Sequence, residues 1–289
     1  MVDTLLNIVP LTPVKALTDG SMLQVIFFAV MFGFCISLVG EKVRPLYNFF
    51  EMAGSVMIKL TSVVMLYAPI GVFGLMATTV ATHGMAVLLP LIKVIGVMYL
   101  GALVHVSVVY LPLVSYCKVG IKRFFKTLAE PLLVAFTTCS SAAALPSNIR
   151  SVRELGVTKS IASFSIPLGN TINMDGTAIY MGVTTIFVAE IYGISLTVAQ
   201  MATVVLMGIL AAVGTMGVPG AALIMVSMIF VQIGIPLEGI ALIAGIDRVL
   251  DMARTTLNVL GDATGAVIVT KTEGELGSEL FSEADDDVI

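Results

Sequence analysis

The sequence predicts an all-α integral membrane protein with about five spanning helices and two re-entrant helical hairpins, arranged as inverted repeats. Three observations predict it. Of 289 residues, 58% are hydrophobic and 12% charged, there is no Trp, and the mean hydropathy is +1.04, which lies outside the range of soluble globular chains. Two apolar stretches are interrupted by small and polar residues, and the basic residues gather in three loops. Finally, the segment DRVLDMARTTLNVLGD, residues 247–262, sets charged side chains and an Asn inside an apolar region.

Apolar stretches run over 21–40, 52–80, 86–115, 131–147, 161–190, 197–236 and 240–270. The first, SMLQVIFFAVMFGFCISLVG, carries no charge and matches the roughly 20 residues a spanning helix needs. The N-terminal MVDTLL lacks the basic start of a signal peptide. The stretch 131–147, PLLVAFTTCSSAAALPS, is short for a span, and 191–237 is uncharged but has GTMGVPG near its centre. Both read as hairpins that enter and leave from one side.

Loop charge tests that reading. Basic residues lie in 41–51 (Lys42, Arg44), 116–130 (Lys118, Lys122, Arg123, Lys126) and 148–159 (Arg150, Arg153, Lys159), whereas the connections near 81–85 and 191–196 have none. The positive-inside bias places all three basic loops in the cytoplasm. That works only if 131–147 is a hairpin rather than a span. The same reasoning sends 161–190 outward, makes 197–236 a hairpin from outside and returns 240–270 inward. Hairpin followed by helix therefore occurs twice in opposite orientation, the arrangement that sets a binding site at the bilayer midplane in transporters. The first 20 residues then lie outside, and an odd number of further spans is expected upstream.

On a helix advancing about 100° per residue, Asp247, Asp251, Arg254, Asn258 and Asp262 fall at about 0°, 40°, −20°, 20° and 60°, one strip about 80° wide. A charge at the bilayer centre costs about 2.5 to 3.5 kcal/mol on insertion scales. Such a strip must face a protein interior or an aqueous site. Arg254 offers a planar fork for a carboxylate, Asp251 can hold an ammonium, and Asp262 with Asn258 can serve a cation. A plain salt-bridge ladder of Asp247, Asp251 and Arg254 accounts for the charges, but not for the polar breaks elsewhere.

The segment 165–180, SIPLGNTINMDGTAIY, puts Pro167, Gly169, Asn170, Thr171, Asn173, Asp175 and Thr177 inside a span. That density predicts a broken helix, whose freed carbonyls, with Asn173 and Asp175, are hard oxygen ligands suited to Na+. TTCSSAAALP (137–146) and GTMGVPGA (214–221) form the two hairpin tips, where backbone amides attract an anionic group. Lys59 and Lys93 read as interfacial residues that snorkel, and His105 as a satisfied polar residue. Cys35, Cys117 and Cys139 are scattered, with no CxxC spacing, and the seventeen Met residues are packing material. The acidic tail, EGELGSELFSEADDD, lacks apolar periodicity and is expected to be disordered. It argues against nucleic-acid binding.

PLGNTINMDGTAIY, GTMGVPGA and DRVLDMARTTLNVLGD, in this order and spacing, closely resemble the dicarboxylate/amino acid:cation symporter family, the prokaryotic relatives of excitatory glutamate transporters; TCSSAAALP agrees with it. The resemblance covers about 5–273. It implies a glutamate-transporter-like fold and a homotrimer in the inner (plasma) membrane, whose protomers carry substrate with Na+ or H+ by an elevator motion, the second hairpin acting as a gate. It divides the chain into N-terminal spans (1–115, part of the scaffold and trimerisation region), a transport core (116–272) and a cytoplasmic tail (273–289). By matched position it implies that Asp251 meets the substrate amino group and Arg254 its side-chain carboxylate. Thr255, Asn258, Ser140, Ser141 and Val218 then meet the substrate backbone, and Thr177 lies beside the bound side chain. Gly169, Asn173, Asn258 and Asp262 match one sodium site; Thr171, Met174 and Thr215 match a second; Asn173 and Asp175 match part of a third.

There are departures. The chain begins just before the family's fourth span, so the first three are expected to be absent, and with them the remaining ligands of the third sodium site. Cys139 stands where relatives carry Arg or Ser, Ala142 replaces a frequent Ser, and Ala212 replaces a common Ser near the second site.

An acidic amino acid, glutamate or aspartate, is the expected substrate, because Arg254 suits an acidic side chain and Asp251 an amino group. A C4-dicarboxylate is the alternative, as is a chain that folds without transporting. A serine hydrolase using Ser140 or Ser141 with His83 or His105 lacks the G-x-S-x-G elbow, so the chain is expected not to be an enzyme.

Overall fold

A computed structural model describes residues 9, 10, 12–18, 22–67, 70, 71, 73, 74, 77, 81, 88–213 and 221–277. Every regular element among them is helical. The chain divides into two compact units, Met1–Val72 and Phe73–Ile289.

In the first unit, α1 (Pro13–Thr18) precedes α2 (Met22–Val39), and a 3-10 turn (Gly40–Val43) leads into α3 (Arg44–Met65). Gly40 takes a left-handed φ of 69°, which lets the chain reverse, and Arg44 bonds Glu41 across the turn at 2.8 Å. Phe32 on α2 meets Phe50 on α3 edge-on, 5.6 Å between centroids. Phe28, Phe34, Leu38, Phe49 and Met52 remain exposed, an apolar surface of the kind that faces lipid or another chain.

The second unit holds α4 (Leu88–His105), a widened turn Val106–Tyr110, α5 (Leu111–Tyr116), α6 (Ile121–Thr127), α7 (Ala129–Thr138), α8 (Ser141–Glu154), α9 (Lys159–Ile172), α10 (Asp175–Ile191), α11 (Val198–Val213), α12 (Ala221–Ile233), α13 (Gly239–Ala244) and α14 (Asp247–Thr272). Leu89–Tyr116 runs as one 28-residue helix, the one among the described residues long and apolar enough to cross a membrane; Val198–Ile209 and Ala222–Ile233 are shorter apolar helices. The widened turn has a local cause. Pro112 has no N–H for the Val108 carbonyl and its ring crowds that turn, and an i→i+5 bulge relieves the conflict.

Helix α14 is the hub, packed against α4, α5, α7, α8, α9 and α10. Its apolar face buries Leu257, Leu260, Ala263 and Val267 with Phe124, Leu128 and Ile166. The short connection between α7 and α8 makes the first hairpin. Cys139 ends α7 at φ 54° in the left-handed region. Ser140 is extended and caps α8, its Oγ accepting from the Ala143 N–H at 3.2 Å. Helices α11 and α12 also pack on one another; the tip between them, 214–220, lies outside the described residues.

The expected broken helix is present, but its break is not at Pro167. Helix α9 continues through that Pro to Ile172, and the chain leaves helical geometry at Asn173 (φ −90°, ψ 87°) and Met174 (φ −119°, ψ 48°). Partners on α14 explain the location. The Asn173 amide donates to the Asn258 carbonyl (3.3 Å) and Asp262 Oδ1 (3.0 Å), and the Gly176 N–H of α10's first turn donates to Asn258 Oδ1 (2.8 Å). A neighbouring helix thus satisfies groups that the break frees.

At the other end of α14, residues 273–277 of the segment expected to be disordered turn back onto the 155–158 connection. The Gly277 N–H donates to the Gly156 carbonyl (2.8 Å) and the Thr158 hydroxyl to Glu275 (3.1 Å). The rest of the tail, 278–289, lies outside the described residues.

The contact between α10 and α14 has no room for a side chain at Gly176, where a Cβ would strike the Arg254 carbonyl oxygen. Gly176→Ala is expected to cost about 1 to 3 kcal/mol through forced backbone displacement. A lowered thermal midpoint by circular dichroism checks it, and an unchanged midpoint would show the contact to be slack.

Candidate functional site

The polar strip of α14 lies inside the protein. Asp247, Asp251, Arg254, Asn258 and Asp262 are all buried, Asp251 to 1% and Arg254 to 3% exposure. The Arg254 guanidinium donates to Asp251 Oδ1 through Nε (3.0 Å) and Nη2 (2.6 Å), and the Thr255 hydroxyl donates to the same oxygen (2.6 Å). The Tyr180 ring lies 5.5 Å from the Arg254 guanidinium carbon, within cation–π range. Its hydroxyl donates to Asp247 Oδ1 at 2.6 Å. Asp247, which the sequence left without a ligand, therefore belongs to the support of Arg254.

The first hairpin tip reaches the start of this strip. The Arg248 guanidinium donates to the Thr137 carbonyl (3.0 Å), and the Cys139 thiol lies 3.8 Å from the Arg248 carbonyl. Ser141 is buried to 3%, and its hydroxyl finds no hydrogen-bond partner among the described residues. A buried hydroxyl with no partner costs free energy unless a ligand supplies one, so Ser141 is suited to a polar ligand. Ser140, by contrast, spends its side chain on the helix cap.

Next along α14, Asn258 joins two groups of residues. Its Nδ2 donates to the Thr177 hydroxyl (3.2 Å) and the Met174 sulfur (3.1 Å), while its backbone carbonyl meets Asn173. Asn173 also bonds Asp262, and Asp262 crowds Gly169, where a Cβ would sit 2.7 Å from Oδ1. So Gly169, Asn173, Asn258 and Asp262 converge. Within this group the Asn173 amide nitrogen faces the Asn258 carbonyl and the Asp262 carboxylate, and the Gly169 carbonyl accepts from the Asn173 backbone N–H at 2.7 Å. Among the described residues no three His, Cys, Asp or Glu side chains gather.

The remaining assignments divide. The Thr171 hydroxyl donates to its own helix, to the Pro167 and Leu168 carbonyls, and its proposed companions Thr215 and, for the substrate, Val218 lie outside the described residues. Met174 is buried and gives its sulfur to Asn258. Asp175 instead meets Tyr110 (2.7 Å) and His105 Nε2 (3.1 Å).

Three residues here escaped the sequence reading. Tyr180 had a signal, since it lies one helical turn beyond Thr177 on the same face. Gly176 stood unremarked inside the motif. Tyr110 gave none, because its inward aim depends on the widened turn.

An apolar chain, all-helical among the described residues, with a buried carboxylate–guanidinium pair adjoining a broken helix, has the make-up of a membrane protein. The chain belongs to the sodium:dicarboxylate symporter family, whose model matches residues 1–272. It is 38% identical over 279 residues to the proton/sodium-glutamate symport protein of Geobacillus stearothermophilus, covering 96% of this chain and 66% of that protein. It is 38% identical over 274 residues to the proton/glutamate-aspartate symporter of Escherichia coli K12, covering 94% and 63%. A C4-dicarboxylate transport protein of Mesorhizobium japonicum is 36% identical over 281 residues, covering 97% and 64%. The chain thus spans just under two thirds of the length of these relatives.

The Tyr180–Asp247 bond can be weighed by a double-mutant cycle. Tyr180→Phe and Asp247→Asn are each expected to cost about 1 to 3 kcal/mol, because each leaves a buried polar group poorly paired. Together they should cost less than their sum by about 1 kcal/mol or more. Unfolding by SDS titration in mixed micelles reads this, and strict additivity would contradict the assigned bond.

Proposed function

We propose that this chain is a cation-coupled symporter of acidic amino acids, glutamate or aspartate, driven by Na+ or H+. The observation that carries the reading is the buried pair Asp251–Arg254, with the Ser141 hydroxyl buried and without a hydrogen-bond partner among the described residues. Both charges are internally compensated in this structure. A ligand with one side-chain carboxylate and one ammonium can separate the pair and give each member a new opposite charge. A dicarboxylate with no ammonium takes Arg254 and strands Asp251, and a stranded buried charge costs about 3 to 5 kcal/mol. The geometry therefore favours an amino acid.

In this reading Arg254 receives the substrate side-chain carboxylate and Asp251 the ammonium. Ser140, Ser141, Thr255, Asn258 and Val218 meet the remaining polar groups, with Thr177 beside the side chain. Gly169, Asn173, Asn258 and Asp262 hold one cation, Thr171, Met174 and Thr215 a second, and Asn173 with Asp175 part of a third. Asn258 supplies the coupling, since one residue orders Thr177 and Met174 with its amide and Asn173 with its carbonyl. A cation that fixes Asn173 and Asp262 thereby fixes the turn of α14 from which the substrate ligands project.

The chain then spans the plasma membrane several times, with α7–α8 and α11–α12 as re-entrant hairpins. Folding back of 273–277 onto the 155–158 connection agrees with both lying in the cytoplasm. A homotrimer moving substrate by an elevator motion completes the proposal. The second reading, a C4-dicarboxylate symporter, is favoured by the 36% identity to the Mesorhizobium protein.

Equilibrium binding of labelled glutamate and succinate in NaCl separates the two. Asp251→Asn is expected to weaken glutamate binding by about 100-fold or more and to leave succinate no weaker. Unchanged glutamate binding would exclude recognition of the amino group and leave the dicarboxylate reading.

A further inference from the structure

We infer that Tyr110 is a positioning residue for the cation site, with the widened turn Val106–Tyr110 as the device that aims it; this rests on the assignment of Asp175 as a cation ligand. Residues five apart on a regular α-helix point about 140° away from each other. His105 and Tyr110 nonetheless converge on a single atom, Asp175 Oδ2, at 3.1 and 2.7 Å. The i→i+5 turn between them makes that convergence possible. Their rings meet edge-on, 4.8 Å between centroids at 89°, so each fixes the other.

A second helix is shaped to admit the hydroxyl. At Gly261 on α14 a Cβ would collide with the Tyr110 hydroxyl and with Asn173 Nδ2. The same notch therefore accommodates Tyr110 and one of the proposed cation ligands. Tyr110 is buried to 3%, and a Phe would fill the same volume. What the hydroxyl adds is its bond to Asp175, with the Leu257 carbonyl more distant at 3.4 Å.

Asp175 is held but not sealed. Its side chain keeps 35% exposure, and its bonds to Tyr110 and His105 both use Oδ2, leaving Oδ1 without a hydrogen-bond donor among the described residues. One oxygen is anchored and the other has no donor among the described residues. That is the arrangement by which a donor behind a ligating carboxylate orients it, and loss of such a donor typically weakens ion binding about 10- to 100-fold. Tyr110 thus tunes cation affinity without touching cation or amino acid.

The test uses the whole 289-residue chain in detergent and reads two quantities: the NaCl concentration giving half of the thermal stabilisation seen against choline chloride, and the glutamate Kd at saturating NaCl. Tyr110→Phe is expected to raise the NaCl midpoint about 10- to 100-fold, with the glutamate Kd held within about twofold. Gly261→Ala, which pushes on the same hydroxyl and on Asn173, is expected to raise it as well and carries the test if Tyr110→Phe does not fold. Tyr99→Phe is the control, since Tyr99 lies on the same helix and bonds the Val249 carbonyl at 3.1 Å; it is expected to lower the melting temperature without moving the NaCl midpoint. A Tyr110→Phe midpoint equal to the wild type's overturns this inference and leaves the cation site standing. Absence of any NaCl-dependent stabilisation in the wild-type chain overturns both.

Discussion

The ion pair between Asp251 and Arg254 on α14 is the constraint around which the larger unit is arranged. An unpaired charge in apolar surroundings is intolerable, so the helix that carries the pair must be enclosed by others. Among the described residues α4, α5, α7, α8, α9, α10 and α13 pack on α14, and each buried charge on its inner face is answered. Tyr180 stacks toward the guanidinium and holds Asp247, the first hairpin tip docks through Thr137 on Arg248, and the break between α9 and α10 is satisfied by Asn258 and Asp262.

Under the proposed function, the same constraint makes ligand exchange feasible. A site with two opposite charges already paired need not be exposed to water between ligands. It can trade an internal ion pair for two external ones while every buried charge keeps a partner. Asn258, one helical turn from Arg254 and one from Asp262, lies between that pair and the oxygens around Asp262. In the proposed function, coupling between cation and substrate runs through Asn258.

Much of this was legible in the sequence. The angular strip from Asp247 to Asp262 follows from helical periodicity alone, and its burial is what the free energy of charge in an apolar medium demands. The interruption between α7 and α8 was legible from the small polar residues of 137–146, and the broken helix from residues 165–180. The position of the break was not. Pro167 is tolerated inside α9, and the chain opens at Asn173 only because α14 offers partners there, a tertiary effect that local propensity does not contain. Tyr110 was illegible for a related reason. A regular helix would turn it away from Asp175, and the extra residue in that turn appears only once Pro112 and its neighbours are built in three dimensions. Asp247 was visible as a charge, but its partner Tyr180 lies 67 residues away.

The central claim is that the buried pair on α14 is a substrate site coupled to a cation. Uptake of labelled glutamate or aspartate into liposomes containing the purified chain, with and without an inward NaCl gradient, addresses it most directly. The account predicts accumulation that depends on the gradient and is lost on Arg254→Ala. Accumulation that survives Arg254→Ala, or no uptake of either amino acid by a correctly folded chain, would contradict it.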